Sequence, residues 1–338
     1  MQPIFVTGAT GFLGAYLVCE LLQKGYDVKA LKRPQSSLSE FNFITGLYFG
    51  QDQNNVLKKL QWTEGDVLDM DTLEDAIEEG AIVYHCAAVI SFHSADKSKL
   101  FKVNIKGTEN VVNVCLAKKC SKLVYVSSIA AVGKLEQGML IDENVMWDEK
   151  DEPSNYSRSK YYAELEVWRG VEEGLNAVIV NPPLIIGPGN WKKATGRFFW
   201  NGFKNFPFYT EGSNAFVYVK DVAKAMILLA ESPIHSERFI VVSENLLLRD
   251  FMNLIADAFG KRRPFVKITS FTSGIAWRLL GLIGFFTRKK ALITRESAQS
   301  SLKSIAYTNK KIKDATGFEF TLISTAVKET VDVFKKVN

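Results

Sequence analysis

Residues 1–14 read MQPIFVTGATGFLG, and this stretch decides how the rest of the chain is read. Ile4, Phe5 and Val6 form a short apolar run that opens straight into Gly8, Gly11 and Gly14, after which Ala15 to Gln23 carries apolar residues at helical spacing. The order is strand, glycine turn, helix. A glycine at such a turn adopts backbone angles other residues avoid, a second lets a pyrophosphate approach the main chain, and a third lets helix and strand pack closely. The free N–H groups and positive end of the helix then face phosphate. Its first gap, Gly8-x-x-Gly11, is one residue longer than in the G-x-G-x-x-G fingerprint. The strand and helix around it predict a dinucleotide site built on Gly8, Thr10, Gly11, Phe12, Leu13 and Gly14.

Val28 to Leu31 is the expected second strand, and it ends at Lys32 and Arg33. An NAD site places an acid here for the ribose hydroxyls. A cation instead pairs with a ribose 2′-phosphate, so NADP(H) is expected ahead of NAD(H), with Ser36 and Ser37 as further donors. Residues 34–58 are polar and irregular, the pattern of a long connection. Leu60 to Trp62 is a third strand, and Asp66 with Val67 follows it, the acid placed to accept from the adenine amino group. Asp69 and Asp71 are suited to cap a helix over 72–78.

Ala81 to His85 is the next strand, and the small Ala87 and Ala88 after it let a ribose lie across the strand end. His85 is read as a satisfied structural histidine and His93 as a surface-loop residue. Asn104 to Ala117 is an amphipathic helix, and Lys122 to Val126 a buried strand ending in Ser127 and Ser128. Strands alternating with helices imply an α/β fold, a doubly wound parallel sheet of Rossmann type. Its ligands sit beyond the carboxyl ends of the strands, where the glycine turn, Arg33, Asp66, Ala87 and Ser128 all fall.

Tyr156 and Lys160 stand four apart in NYSRSKYYAELE, which puts phenol and ammonium on one face of a helix. A free tyrosine titrates near pH 10. A neighbouring ammonium lowers that value towards a range useful for proton transfer, and Ser128 supplies a hydroxyl to hold the substrate oxygen. Catalytic Ser128, Tyr156 and Lys160 form the expected set.

The chain resembles the extended short-chain dehydrogenase/reductases, the NAD-dependent epimerase/dehydratase superfamily. The matching pieces are TGATGFLG at 7–14, GDV at 65–67, HCAA at 85–88, NIKGTENV at 104–111, VSSIAAVG at 126–133, YSRSK at 156–160, NPPLIIGPG at 181–189 and FVYVKDVA at 216–223. The resemblance implies that Lys160 binds the nicotinamide ribose and that the segment at Pro183 lies beside the nicotinamide. It also implies a homodimer.

Within this family Ser128 is followed by Ile129-Ala130 where dehydratases carry Asp-Glu, and Asn214-Ala215 stands where many sugar-nucleotide enzymes place Arg-Asp. Arg33, HCAAVISF and the C-terminal segment are similar to the dihydroflavonol reductase and 3β-hydroxysteroid dehydrogenase-like branch. The expected function is therefore an NADP(H)-dependent oxidoreductase that reduces a carbonyl or oxidises a secondary alcohol on a bulky, mostly apolar substrate. A nucleotide-sugar epimerase using NAD and a non-catalytic NADP-sensing protein are the rival readings.

Length and composition fit this. The 338 residues, 47% hydrophobic and 23% charged, suffice for a large core. A net charge of +5, with cations scattered among acids, excludes a nucleic-acid arm. The four cysteines have neither disulfide nor zinc spacing, so no metal is expected. A first strand beginning by residue 4 leaves no signal peptide, and a reducing, cytoplasmic setting is expected. FTSGIAWRLLGLIGFF at 271–286 is too short to span a membrane. With Arg288-Lys289-Lys290 behind it, the stretch fits a core helix, a pocket lid, or a membrane-surface helix making peripheral contact through 271–290. Residues 1–183 form the expected dinucleotide domain, with a return at about 214–245. Residues 184–213 and 246–338 form a smaller, mostly helical substrate domain.

Overall fold

The computed structural model describes residues 2–136, 138–151, 153–269 and 303–337. The stretch 271–290 lies outside the described residues.

The opening stretch forms β1 (Ile4–Thr7) and α1 (Phe12–Gln23), joined by the glycine turn. β2 (Val28–Lys32), β3 (Leu60–Glu64), β4 (Ile82–His85) and β5 (Lys122–Val126) follow. Together with strands Ala177–Asn181 and Glu237–Ile240 they make a seven-stranded sheet. From one edge the order is 237–240, 177–181, β5, β4, β1, β2, β3, and every pairing is parallel. The strand order reverses between β1 and β4. That reversal opens a crevice at the carboxyl ends of the strands, which is where a Rossmann sheet takes its ligand.

Both faces are covered, which is why the strands read as continuous apolar runs. Ile4 and Val6 face a core shared with α1 and the helix Val219–Glu231. Phe5 points the other way, into a core shared with the helices Gly107–Ala117 and Asn155–Glu172. The buried Lys122 serves the first layer: its ammonium donates to the carbonyls of Leu229 (3.1 Å), Ser232 (2.6 Å) and Ile234 (2.8 Å) where helix 219–231 ends.

Residues 34–58 differ from the irregular connection expected. They contain α2 (Ser39–Phe49) and a short helix Gln53–Val56. Phe41 and Ile44 are fully buried, and the Phe41 ring meets Trp62 of β3 edge-on at 5.0 Å. Tertiary packing of two side chains overrides a weak local pattern here. Asp69 caps the helix Met70–Ala76, its carboxylate accepting from the Thr72 N–H and hydroxyl. The helix expected from Asn104 begins at Gly107 and is preceded by a π-helical turn over 102–106.

A second layer lies past Asn181. Strand Leu184–Ile186 pairs parallel with Ser213–Tyr218, which pairs antiparallel with Glu244–Leu247. Helices Gly196–Phe203, Leu248–Phe259 and Ile323–Val337 pack beside this small sheet. The aromatics of 191–203 pin those helices together: Trp191 meets Phe334 at 4.9 Å and Phe203 meets Phe334 at 5.1 Å.

At the glycine turn the main chains come closer than a side chain allows. A Cβ on Gly14 would stand 2.2 Å from the Gly8 carbonyl oxygen, whereas one on Gly11 would stand 3.3 Å from the same atom. Gly14→Ala should cost about 1–3 kcal/mol of stability in urea unfolding, and Gly11→Ala clearly less. Equal losses would show that this contact does not set the turn.

Candidate active site

Gly8 sits at φ +71, a left-handed conformation suited to glycine. A Cβ there would lie 2.6 Å from both the Cys86 carbonyl carbon and the Ala87 nitrogen. β1 and β4 therefore end side by side. Gly11 caps α1 without any side-chain hydrogen bond, and no acid occupies the first turn. The N–H groups at that helix start, which no capping side chain takes up, lie in a cradle that side chains would fill and fit a dinucleotide pyrophosphate.

Arg33 is exposed at the end of β2 and has no ion-pair partner among the described residues. Lys32 differs, because Glu64 on neighbouring β3 pairs with its ammonium. Of the two cations, Arg33 is the one free for a phosphate. The Oδ1 atom of Asp66 accepts from Leu68 N–H at 3.1 Å. Val67 packs on Gly107, where a Cβ would meet its side chain at 2.7 Å.

His85 is fully buried in a polar relay whose directions are fixed from its ends. The Thr108 hydroxyl donates to the Asn104 carbonyl (2.6 Å), so it accepts from His85 Nε2–H (3.0 Å). Nδ1 is then the acceptor for the Thr7 hydroxyl (2.7 Å), whose oxygen accepts from Ala87 N–H (3.2 Å). Burial, with Lys160 nearby, pushes the imidazole down to about 3, so it stays neutral. Its role is structural, as its place within a strand implies.

Ser128, at the end of the segment after β5, adopts extended backbone and accepts from Ala130 N–H at 3.1 Å. Its hydroxyl proton is left for the phenol of Tyr156, to which it hydrogen-bonds. The structure thus brings Ser128 and Tyr156 together. Tyr156 lies in the first turn of helix Asn155–Glu172, whose cap Ser154 accepts from Ser157 N–H. Lys160 follows one turn later, almost fully buried. Its ammonium donates to the Val126 carbonyl (2.7 Å) and the Tyr125 hydroxyl (3.1 Å), and burial holds it down to about 8. The phenol of Tyr156 departs from the expectation of an ammonium-lowered pKa. Desolvation raises it, Ser128 pulls it part of the way back, and Lys160 is turned to other partners.

Three residues escaped the sequence reading. Glu164, one turn beyond Lys160, is buried and accepts from Ser127 Oγ (2.6 Å), Asn181 Nδ2 (2.9 Å) and Arg238 Nη1 (3.1 Å). Asn181 Nδ2 also donates to the Ser128 carbonyl (3.0 Å), so the carboxylate ties the Tyr156 helix to the Ser128 segment. The 156, 160, 164 spacing was the available signal. Asn104 holds the loop after β4: its side chain accepts from Val89 N–H (2.7 Å) and donates to the Val89 carbonyl and Ser159 Oγ. That loop sets Phe92 against Tyr156, ring centroids 5.6 Å apart.

Because folded His85 protonates near 3 and an unfolded histidine near 6.5, acid favours the unfolded chain. Stability should fall as pH drops below 6.5, by about 1.4 kcal/mol per unit from this group. Urea unfolding at about pH 6.5 and pH 5 should show a steeper loss in wild type than in His85→Asn; equal slopes would disprove the neutral relay.

Residues 4–242 match the family described as NAD dependent epimerase/dehydratase family. The chain is 30% identical over 267 residues to sterol demethylase protein B of Methylococcus capsulatus, covering 78% of this chain and 76% of that protein. It is 26% identical to cinnamoyl-CoA reductase 1 of Petunia hybrida, across 98% of this chain and 91% of the relative. Among solved structures, gox2253 superposes with a TM-score of 0.81 at 28% identity, covering 99% and 98% of the two chains. A UDP-glucose 4-epimerase of Thermotoga maritima, at 19% identity and a TM-score of 0.76 over 99% of both chains, shares the fold. With its Rossmann sheet, glycine cradle and these relatives, the chain belongs to the NAD-dependent epimerase/dehydratase family as a reductase-like enzyme using a nicotinamide dinucleotide.

Proposed function

We propose that the chain is an NADP(H)-dependent oxidoreductase that reduces a carbonyl, or oxidises a secondary alcohol, on a bulky and mostly apolar molecule, in the manner of the dihydroflavonol reductase branch. The observation that carries this reading is the pairing of Ser128 with Tyr156 at the carboxyl end of the sheet, beside a glycine cradle and an exposed Arg33. Apolar surface adjoins the proton donor. Phe92 packs edge-on against Tyr156, and Ile90 of the same loop is two-thirds exposed. Later in the chain than Ser128, a separate cavity of about 330 Å³ has a mixed lining, with Leu135, Met139, Ile141 and Ile305 beside Lys134, Glu136, Asp151 and Lys303. In this reading the sheet holds the cofactor, and residues 184–213 and 246–338 supply the substrate side.

When bound, the nicotinamide dinucleotide supplies the hydride for reduction or takes it up in the reverse direction. The N–H groups at the start of α1 hold its pyrophosphate, Arg33 its 2′-phosphate, Asp66 with Val67 its adenine, and Ala87 with Ala88 a ribose. Lys160 donates to the nicotinamide ribose, and Pro183 lies beside the nicotinamide. Ser128 orients the substrate oxygen. Tyr156, kept protonated at neutral pH by its desolvated setting, gives its phenolic proton to that oxygen during reduction. Glu164 and Asn181 hold the serine and tyrosine elements in register.

Tyr156→Phe should lower turnover by about a hundredfold or more while NADPH affinity, read by fluorescence titration, stays near wild type. The assay follows NADPH consumption with dihydroflavonols, aryl aldehydes and 3-ketosteroids. Full activity in that variant would overturn the proton-transfer role.

Arg33→Ala should weaken NADPH binding by about ten- to a hundredfold and leave NADH binding nearly unchanged. Equal wild-type affinity for the two cofactors, or NAD retained through purification, would favour the epimerase reading instead.

A further inference from the structure

Away from the strand ends, the small layer carries a surface that the site does not use. The ladder Phe208–Tyr209 with Val266–Lys267 stands at its edge, and the turns leading into it come from helices Gly196–Phe203 and Leu248–Phe259. Four apolar side chains are exposed together there: Phe206 (41%), Phe208 (39%), Phe265 (56%) and Val266 (36%). Phe208 and Val266 are register partners, so they share a face, and the Phe206 and Phe208 rings touch at 5.2 Å. Exposed large apolar groups this close together mark an interaction surface.

What surrounds them indicates the partner. Arg262 lies over the Phe265 ring at 4.0 Å, and in the turns that lead into the ladder Lys204 and Lys261 lie over the Phe203 ring at 5.6 and 5.8 Å. None of Lys204, Lys261 and Arg262 has an ion-pair partner among the described residues, whereas neighbouring Arg263 and Lys267 are paired with Asp257 and Glu211. Rings with cations laid along them resemble the amphipathic groups that settle at a lipid–water boundary, stems among the acyl chains and charges at the headgroups. Apolar side chains inside a basic rim suit a face that is both apolar and anionic.

We propose that the face formed by Phe206, Phe208, Phe265 and Val266 with Lys204, Lys261 and Arg262 docks on an anionic lipid membrane surface. It uses different residues from the strand-end site, so its binding does not depend on which cofactor or substrate that site takes. On the reading given above, docking also places the enzyme where water-insoluble carbonyl compounds partition.

The experiment is co-sedimentation of the full chain with vesicles of phosphatidylcholine alone and of phosphatidylcholine mixed with phosphatidylserine. The chain should pellet with the mixed vesicles only, and less as salt is raised. Lys261→Gln with Arg262→Gln should weaken binding by about 30-fold, and Phe206→Ser with Phe208→Ser by at least about tenfold. Both pairs are exposed, and retained NADPH binding verifies the fold; if one variant fails to fold, the other decides. Absence of pelleting with either vesicle overturns the proposal. So does binding unchanged in the folded variants, which would assign the membrane contact elsewhere, or vesicle-free self-association that these variants abolish, which would assign the face to a second copy.

Discussion

The close approach of two main chains at the point where the strand order reverses is the constraint on which the rest depends. Gly8 lies against the Cys86–Ala87 peptide, and Gly14 brings α1 down onto the Gly8 carbonyl. No residue with a Cβ fits at either place without displacing backbone. With those contacts made, Thr7 falls opposite His85 in the parallel register, and the buried relay from Ala87 N–H to the Asn104 carbonyl can close. Asn104 in turn fixes the loop that sets Phe92 beside Tyr156. Packing at one turn is thus transmitted to the far side of the sheet through hydrogen bonds that have no water to replace them.

A second constraint is electrostatic. Lys160 is almost wholly buried, and a buried ammonium loses its charge unless something opposes the cost of desolvation. Glu164 supplies an opposing charge one turn away, while Val126 and Tyr125 supply acceptors. The same carboxylate is shared with Arg238 and binds Ser127 and Asn181. Its acceptor sites are therefore filled by residues of the sheet strands and the segments after them, as well as by Trp168 Nε1 (3.4 Å) of its own helix. A buried carboxylate of this kind is tolerated because its donors converge on it, and their convergence fixes the helix relative to the Ser128 segment.

The parts of this arrangement that were legible in sequence are local ones. The glycine spacing, the apolar strands and the Tyr156–Lys160 step each lie within a few residues, so backbone geometry alone carries them. Helix Ser39–Phe49 was hidden because Gly46 and scattered polar residues blur its period, and Phe41 and Ile44 bury through tertiary packing, Phe41 against Trp62. Glu164 resembles any solvated glutamate on a helix, and Arg238 any cation on an edge strand. Their meaning is set by each other, across 74 residues of chain. Strand Ser213–Tyr218 continues the small sheet, and the chain rejoins the large one only at Glu237–Ile240, a choice that local pattern does not encode.

Tyr156 shows why proximity in sequence is a poor guide to charge. Four residues on a helix put its phenol and the Lys160 ammonium on one face, yet the ammonium leans towards the sheet and satisfies itself on Val126 and Tyr125. Desolvation then dominates the phenol and raises its pKa, so at neutral pH the group carries its proton. A protonated phenol hydrogen-bonded to a serine hydroxyl is already in the state that reduction of a carbonyl consumes. On the proposed reaction the reverse direction would need the phenolate, a state that the desolvated setting of the phenol disfavours. On that proposed reaction the resting geometry suits proton donation better than proton removal, a bias that comes from burial and from the direction of one lysine side chain.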